Sequence, residues 1–220
     1  MPEGTAAATN PAQTIAAALM LHLRTIGVTD HGLAEAVGAV PLTRFLPPAQ
    51  ASRIDLERWI PIPCGQALEP VGILLSMLAF ANLDGRGRVL EVGTGTGYTT
   101  ALLAKLAEKV TSLERYATLC EAARDRLREL SIANVRIEQR DGHDGEPGAL
   151  FDRIIVHGAF EKPPRQYLDQ LAGGGVLVCA LGEGADQVLV RLTKIGARYD
   201  RQDLFPVRYA TLERGLPLAL

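Results

Sequence analysis

Three cysteines in 220 residues, Cys64, Cys120 and Cys179, are too few and too scattered for a disulfide scaffold, and none forms the Cys-x-x-Cys pair that suits zinc. Aromatic residues are scarce at 5%, with a single tryptophan, Trp59. No apolar run approaches the roughly 18–20 residues needed to cross a bilayer. A surplus of one charge is also missing: 23 Lys and Arg face 25 Asp and Glu, for a formal net charge of −2. A protein that holds nucleic acid electrostatically should carry a basic excess. Residues 1–10 contain Glu3 but no Lys or Arg, unlike a secretory leader. These absences predict a cytoplasmic protein with no metal, membrane or nucleic-acid partner, acting as a monomer or weak dimer.

What is present is 47% hydrophobic content and 22 glycines, enough for one domain with an extension. The chain divides near residue 84. Residues 1–84 read as a helical extension jointed at Pro41, Pro47-Pro48, Pro61 and Pro63, and begin with an amphipathic helix over 14–26, where Ile15, Leu19, Leu23 and Ile26 fall at helical spacing. Residues 85–220 alternate strand and helix. Strands are expected at 88–92, 110–113, 135–139, 153–156, 176–180 and 187–195, with helices at 98–106, 116–130 and 164–171. This alternation predicts an α/β fold: a doubly wound, mostly parallel sheet whose ligands bind beyond the carboxyl ends of the strands.

The densest motif is Glu91-Val-Gly93-Thr94-Gly95-Thr-Gly97, a strand running into three alternating glycines and then a helix. Glycine lets the backbone turn sharply and approach a ligand closely. A dinucleotide fingerprint would read G-x-G-x-x-G. Here the spacing is G-x-G-x-G, and Tyr98 stands where the last dinucleotide glycine belongs. The E-x-G-x-G-x-G run resembles motif I of the class I methyltransferases, whose cofactor is S-adenosylmethionine and whose sheet is Rossmann-like. The resemblance implies that the loop holds the cofactor's methionine part. It also implies that an acid closing the second strand takes the ribose hydroxyls, and Glu114 stands there beside Arg115. A carboxylate suits a vicinal diol because it offers two acceptor oxygens. Asp141-Gly142, after the third strand, resembles the adenine-binding pair.

Val40-Pro-Leu-Thr-Arg-Phe-Leu-Pro47 and Ile60-Pro-Ile-Pro-Cys-Gly-Gln66 resemble the N-terminal elements of the protein-L-isoaspartate O-methyltransferases, V-P-R-x-x-F-V-P and L-P-I-G-x-G-Q-T-I-S-x-P. Phe151-Asp-Arg-Ile-Ile-Val156, Leu171-Ala-Gly-Gly-Gly175 and Val207-Arg208-Tyr209 are similar to later segments of that family. The likeness runs from about residue 34 to 215. It implies a protein-repair enzyme that methylates the free α-carboxylate of L-isoaspartyl residues in a protein or peptide by in-line displacement. Such a carboxylate, with a pKa of about 4, is already ionised at pH 7, so no general base is required. Substrate contacts are expected from Gln66, Ala67, Leu68, Val207, Arg208 and Tyr209.

Two sites depart from the family pattern. Ala67-Leu68-Glu69 replaces T-I-S, which puts a carboxylate where a serine helps hold the substrate carboxylate. Like charges about 4 Å apart repel by about 1 kcal/mol in water and about 4 kcal/mol at a surface-type dielectric. Either Glu69 points to solvent, or the alignment slips here by a residue, or the acceptor has changed and Glu69 serves as a base for a hydroxyl or amine or pairs with a cationic group. His157, at the end of the fourth strand, replaces a small residue and is the other candidate for catalysis; its alternative is a packed, hydrogen-bonded histidine. His143 reads as exposed, Cys64 as small buried filler, and Trp59 as an anchor or a substrate platform. The rivals to isoaspartyl methylation are a relative acting on another acceptor, a cofactor-binding regulatory protein without turnover, and a nicotinamide dinucleotide binder.

Overall fold

The computed structural model describes residues 11–25, 27, 31–47, 55 and 57–217. It opens with α1 (Pro11–Thr25) and α2 (His31–Ala39), which pack together through Leu19, Leu23, Leu33 and Val37. The spacing of four within each pair puts both side chains on one helical face. The helix starts three residues earlier than residue 14, with Pro11 at a first-turn position that needs no N–H. Ile26, Pro48 and residues 1–10 lie outside the described residues.

A minimal hairpin follows, β1 (Ile60–Pro61) against β2 (Ala67–Leu68), pairing Ile60 with Leu68 and Pro61 with Ala67. Cys64 and Gly65 turn it with positive φ of 63° and 67°. Next comes α3 (Val71–Ala81), apolar nearly all round and correspondingly buried. Asn82 ends it in the left-handed region, and the Arg153 guanidinium donates to the carbonyls of Ala81 (2.6 Å) and Asn82 (2.8 Å). A cation there complements the negative end of the helix.

The rest of the chain forms β3 (Arg88–Val92), α4 (Tyr98–Leu106), β4 (Lys109–Glu114), α5 (Ala117–Glu129), β5 (Val135–Gln139), β6 (Phe151–Phe160), α6 (Arg165–Leu168), β7 (Leu171–Leu181), β8 (Val188–Ile195) and β9 (Arg198–Pro206). The seven strands are ordered β5-β4-β3-β6-β7-β8-β9. The first five are parallel, and β8 and β9 return as antiparallel neighbours. Their links, residues 182–187 and 196–197, are too short for a parallel crossover. The fold is a doubly wound, mostly parallel Rossmann-like sheet with an antiparallel edge. Its helices are unevenly shared: α1–α5 contribute to one buried cluster, and among the described residues only the four-residue α6 joins the cluster on the other face.

The structure corrects several boundaries. β6 and β7 are longer than expected because register shifts interrupt the pairing without ending it. One shift, between Phe151–Leu171 and Arg153–Val176, absorbs the triple glycine at residues 173–175. The other sets residues 155–159 of β6 against 178–180 of β7, a bulge that contains His157. The helix expected at 164–171 shrinks to α6 because Leu171 already pairs with Phe151. The strand order reverses between β3 and β6, and a cleft opens there at the carboxyl ends.

Candidate active site

A cavity of about 350 Å³ lies at that reversal, within the range of small-molecule sites. Its rear wall is the glycine loop. Gly93, Gly95 and Gly97 take φ of 98°, 53° and 86°, values that favour glycine at each turn of the loop. Gly93 donates to Leu113 O (2.8 Å) and Gly97 to Thr94 O (2.9 Å). Gly93, Thr94 and Gly95 line the cavity, whereas Gly97 packs against α5, where a β-carbon would come 3.0 Å from Ala123 Cβ.

Beneath the loop is a buried polar chain. Glu91 is fully buried, and its Oε2 accepts the Thr100 hydroxyl (2.5 Å) and the Ser112 hydroxyl (2.6 Å). Ser112's single proton is thereby used, so Thr94 is the donor in their mutual 2.6 Å bond. Glu91 therefore braces the loop from below and does not line the cavity.

Glu114 closes β4 and faces the cavity. Oε2 accepts the Gly95 N–H (2.9 Å) and Oε1 the Tyr116 N–H (3.1 Å). Burial pushes its carboxyl up, against the lowering effect of those bonds. Each oxygen keeps a further lone pair. Arg115 lines the cavity beside it, ion-paired with Glu213 and 5.3 Å from the Tyr116 ring.

Gly142 also lines the cavity; a β-carbon there would crowd the Val92 side chain and force it to shift. Asp141 lies outside the lining. Its carboxylate accepts the N–H groups of His143 (2.9 Å) and Gly215 (2.6 Å). Burial would raise its carboxyl, but those bonds outweigh it and hold it low. His143 is half-buried against Asp144, not exposed.

Opposite the glycine loop, Gln66, Ala67 and Leu68 of the hairpin and Glu69 just after it reach the cavity. The Gln66 amide donates to the Tyr116 hydroxyl (3.2 Å) and Cys64 O (3.3 Å). Cys64 is half-buried at the tip of the turn, not buried filler. Glu69 does not point to solvent: it is 5% exposed, and its carboxylate is engaged by His157 Nδ1. His157 Nε2 lies 3.3 Å from Glu91 Oε1, at ion-pair distance but without hydrogen-bond alignment. Burial alone would lower the imidazole, but the two carboxylates prevail and raise it to about 10. Burial would likewise raise Glu69, and His157 reverses that, leaving its carboxyl below the ordinary value. Among the described residues no group of three or more His, Cys, Asp or Glu could hold a metal ion.

The C-terminal tail is placed differently from the expectation. Val207 is buried and donates to Gln187 O (3.0 Å), while Arg208 is exposed; neither lines the cavity. Tyr209 lies behind Glu69 and meets the Trp59 ring edge-on at 5.4 Å. The cavity residues of the tail are Ala210, Thr211, Leu212 and Glu213, in a segment that bridges to Ala159 of β6. Nothing in their residue types marked them; only their place just after Val-Arg-Tyr could have.

A family model described as Protein-L-isoaspartate(D-aspartate) O-methyltransferase matches residues 14–216. The chain belongs to this family. It is 37% identical over 193 residues to the protein-L-isoaspartate O-methyltransferase of Rhizobium meliloti (strain 1021), covering 87% of this chain and 95% of that one. Protein-L-isoaspartate O-methyltransferase 1 of Marinobacter nauticus (strain ATCC 700491 / DSM 11845 / VT8) is 40% identical over 199 residues, 90% of this chain and 91% of its own. The fold is shared with a Plasmodium falciparum protein-L-isoaspartate O-methyltransferase solved in complex with S-adenosyl-L-homocysteine, at a TM-score of 0.76, 24% identity and coverage of 90% and 98%.

Proposed function

We propose that this member of the family uses S-adenosylmethionine to methylate the free α-carboxylate of L-isoaspartyl residues in proteins or peptides. The observation that carries the reading is Glu114, whose two oxygens each take one backbone N–H and keep acceptor capacity toward the cavity. That arrangement fits a ribose diol, and the glycine backbone at residues 93–95 leaves room for the rest of the cofactor. Thr94 and Arg115 border the same space, and Gly142 keeps its far end open. S-adenosylmethionine, when bound, supplies an electrophilic methyl group.

The chain's own task is to position the acceptor and keep water out. Gln66, Ala67 and Leu68 form the acceptor edge, and Ile62, Leu68, Leu119 and Leu212 supply apolar lining. We assign residues 1–84 the role of an acceptor-side cover, since the hairpin belongs to that segment. An α-carboxylate is ionised at neutral pH and needs no proton removed. Glu69 is not available as a base, because its carboxylate is already engaged by His157. The reading with a different acceptor therefore loses the group that motivated it. Methyl transfer to an isoaspartyl peptide, compared with its aspartyl twin, tests the proposal.

A further inference from the structure

The two acceptor-side departures from the family pattern meet in space. Glu69, just after β2, and His157, in the β6 bulge, are 88 residues apart in sequence, yet their side chains form a buried ion pair at the cavity wall. The bulge and Gly93 make room for the ring; a β-carbon at position 93 would lie 3.1 Å from His157 Cβ. Both nitrogens of the His157 ring face carboxylates. Nδ1 is on Glu69, and Nε2 faces Glu91 at 3.3 Å. The Tyr209 hydroxyl nearby donates to Met77 Sδ (3.1 Å).

We propose that Glu69 and His157 are a compensating unit: His157 is a positioning residue that cancels the Glu69 carboxylate and so lets the pocket accept an anionic substrate. This deepens the isoaspartyl reading and rests on it. A carboxylate alone at position 69 would repel the substrate's α-carboxylate. With His157 against it, the charge that Glu69 presents to the acceptor is offset by the imidazolium. Glu91, on the far side of the ring, takes the Thr100 and Ser112 hydroxyls on Oε2 and turns Oε1 toward His157 Nε2. The ionisable groups acting on the pair are Glu91 from β3 and Tyr209 from the tail, with Glu114 of β4 coupled to Glu91.

The test compares His157→Thr, Glu69→Ser and the double variant with the parent. It reads kcat and KM for an isoaspartyl peptide at pH 7.5 and 5.5, and S-adenosylhomocysteine affinity by calorimetry. His157→Thr should raise KM about 10- to 100-fold, with kcat and cofactor affinity within about threefold. Its defect should shrink at pH 5.5, because an unpaired buried Glu69 takes up a proton more readily. Glu69→Ser should not raise KM, and the double variant should return KM to within about threefold of the parent. If His157→Thr fails to fold, the double variant must both fold and show the parental KM. An unchanged KM in His157→Thr, a loss in kcat alone, or a double variant as impaired as the single overturns the proposal while leaving parental turnover intact. A parent that never methylates the isoaspartyl peptide overturns the functional reading and this proposal with it.

Discussion

The Ser112 hydroxyl on β4 donates to the Glu91 carboxylate on β3 at 2.6 Å, across a register pair of the parallel sheet. Because Thr94 donates in turn to Ser112, the glycine loop is tied to the sheet through a two-bond chain. Ser112→Ala leaves Glu91 Oε2 with one donor instead of two and frees Thr94. It should cost about 1–3 kcal/mol of stability, as expected for a buried polar group that loses its partner. Urea denaturation measures this, and calorimetry should find S-adenosylhomocysteine bound several-fold more weakly.

Glu114 is assigned the heavier share of cofactor binding. Glu114→Ala removes an acceptor for two backbone N–H groups as well as for the ribose, and should weaken S-adenosylhomocysteine by about 100-fold. Glu114→Gln keeps one acceptor oxygen and should cost about tenfold. Titration calorimetry on the two variants gives the ordering; equal affinities would remove Glu114 from the site.

Two glycines with the same φ separate strain from crowding. Gly97 and Gly148 both sit at φ 86°, but a β-carbon at 97 would meet Ala123 Cβ at 3.0 Å, whereas one at 148 meets nothing within 4 Å. Gly148→Ala should cost about 1 kcal/mol from backbone conformation alone, and Gly97→Ala at least 1–2 kcal/mol more, roughly. Thermal denaturation of both variants reads the difference as the tightness of the α4–α5 contact.

The buried pair predicts a pH dependence of stability. Folded His157 keeps its proton to about pH 10, while an unfolded histidine releases it near its ordinary value of 6.5. Its contribution is therefore full below pH 6.5 and is lost as pH rises toward 10. Glu69, held below its ordinary value, contributes above that value and loses its contribution as pH falls through the folded one. Between pH 6.5 and 8.5 the parent should lose up to about 1 kcal/mol per pH unit. The Glu69→Ser, His157→Thr double variant should be nearly flat over the same window.

Local signals carried most of the fold. β3, α4 and β5 fall on the expected residues because each is short, bounded by glycine or polar turns and strongly patterned. β9 escaped because it is an edge strand rich in charge, with Arg198, Asp200, Arg201 and Asp203 exposed, and so lacks alternating hydrophobicity. The glycine motif located the cavity, but not that Glu91 braces it from below; that depends on Ser112 standing opposite in register. Glu69 and His157 each stood out as a departure, yet no periodicity links residues 88 positions apart, and their pairing depends on the bulge in β6.

The most direct measurement is methyl transfer from labelled S-adenosylmethionine to an isoaspartyl peptide beside its aspartyl twin. The account predicts base-labile label, the mark of a methyl ester, on the isoaspartyl peptide alone. Cofactor binding without label on that peptide, or equal label on both, would contradict it.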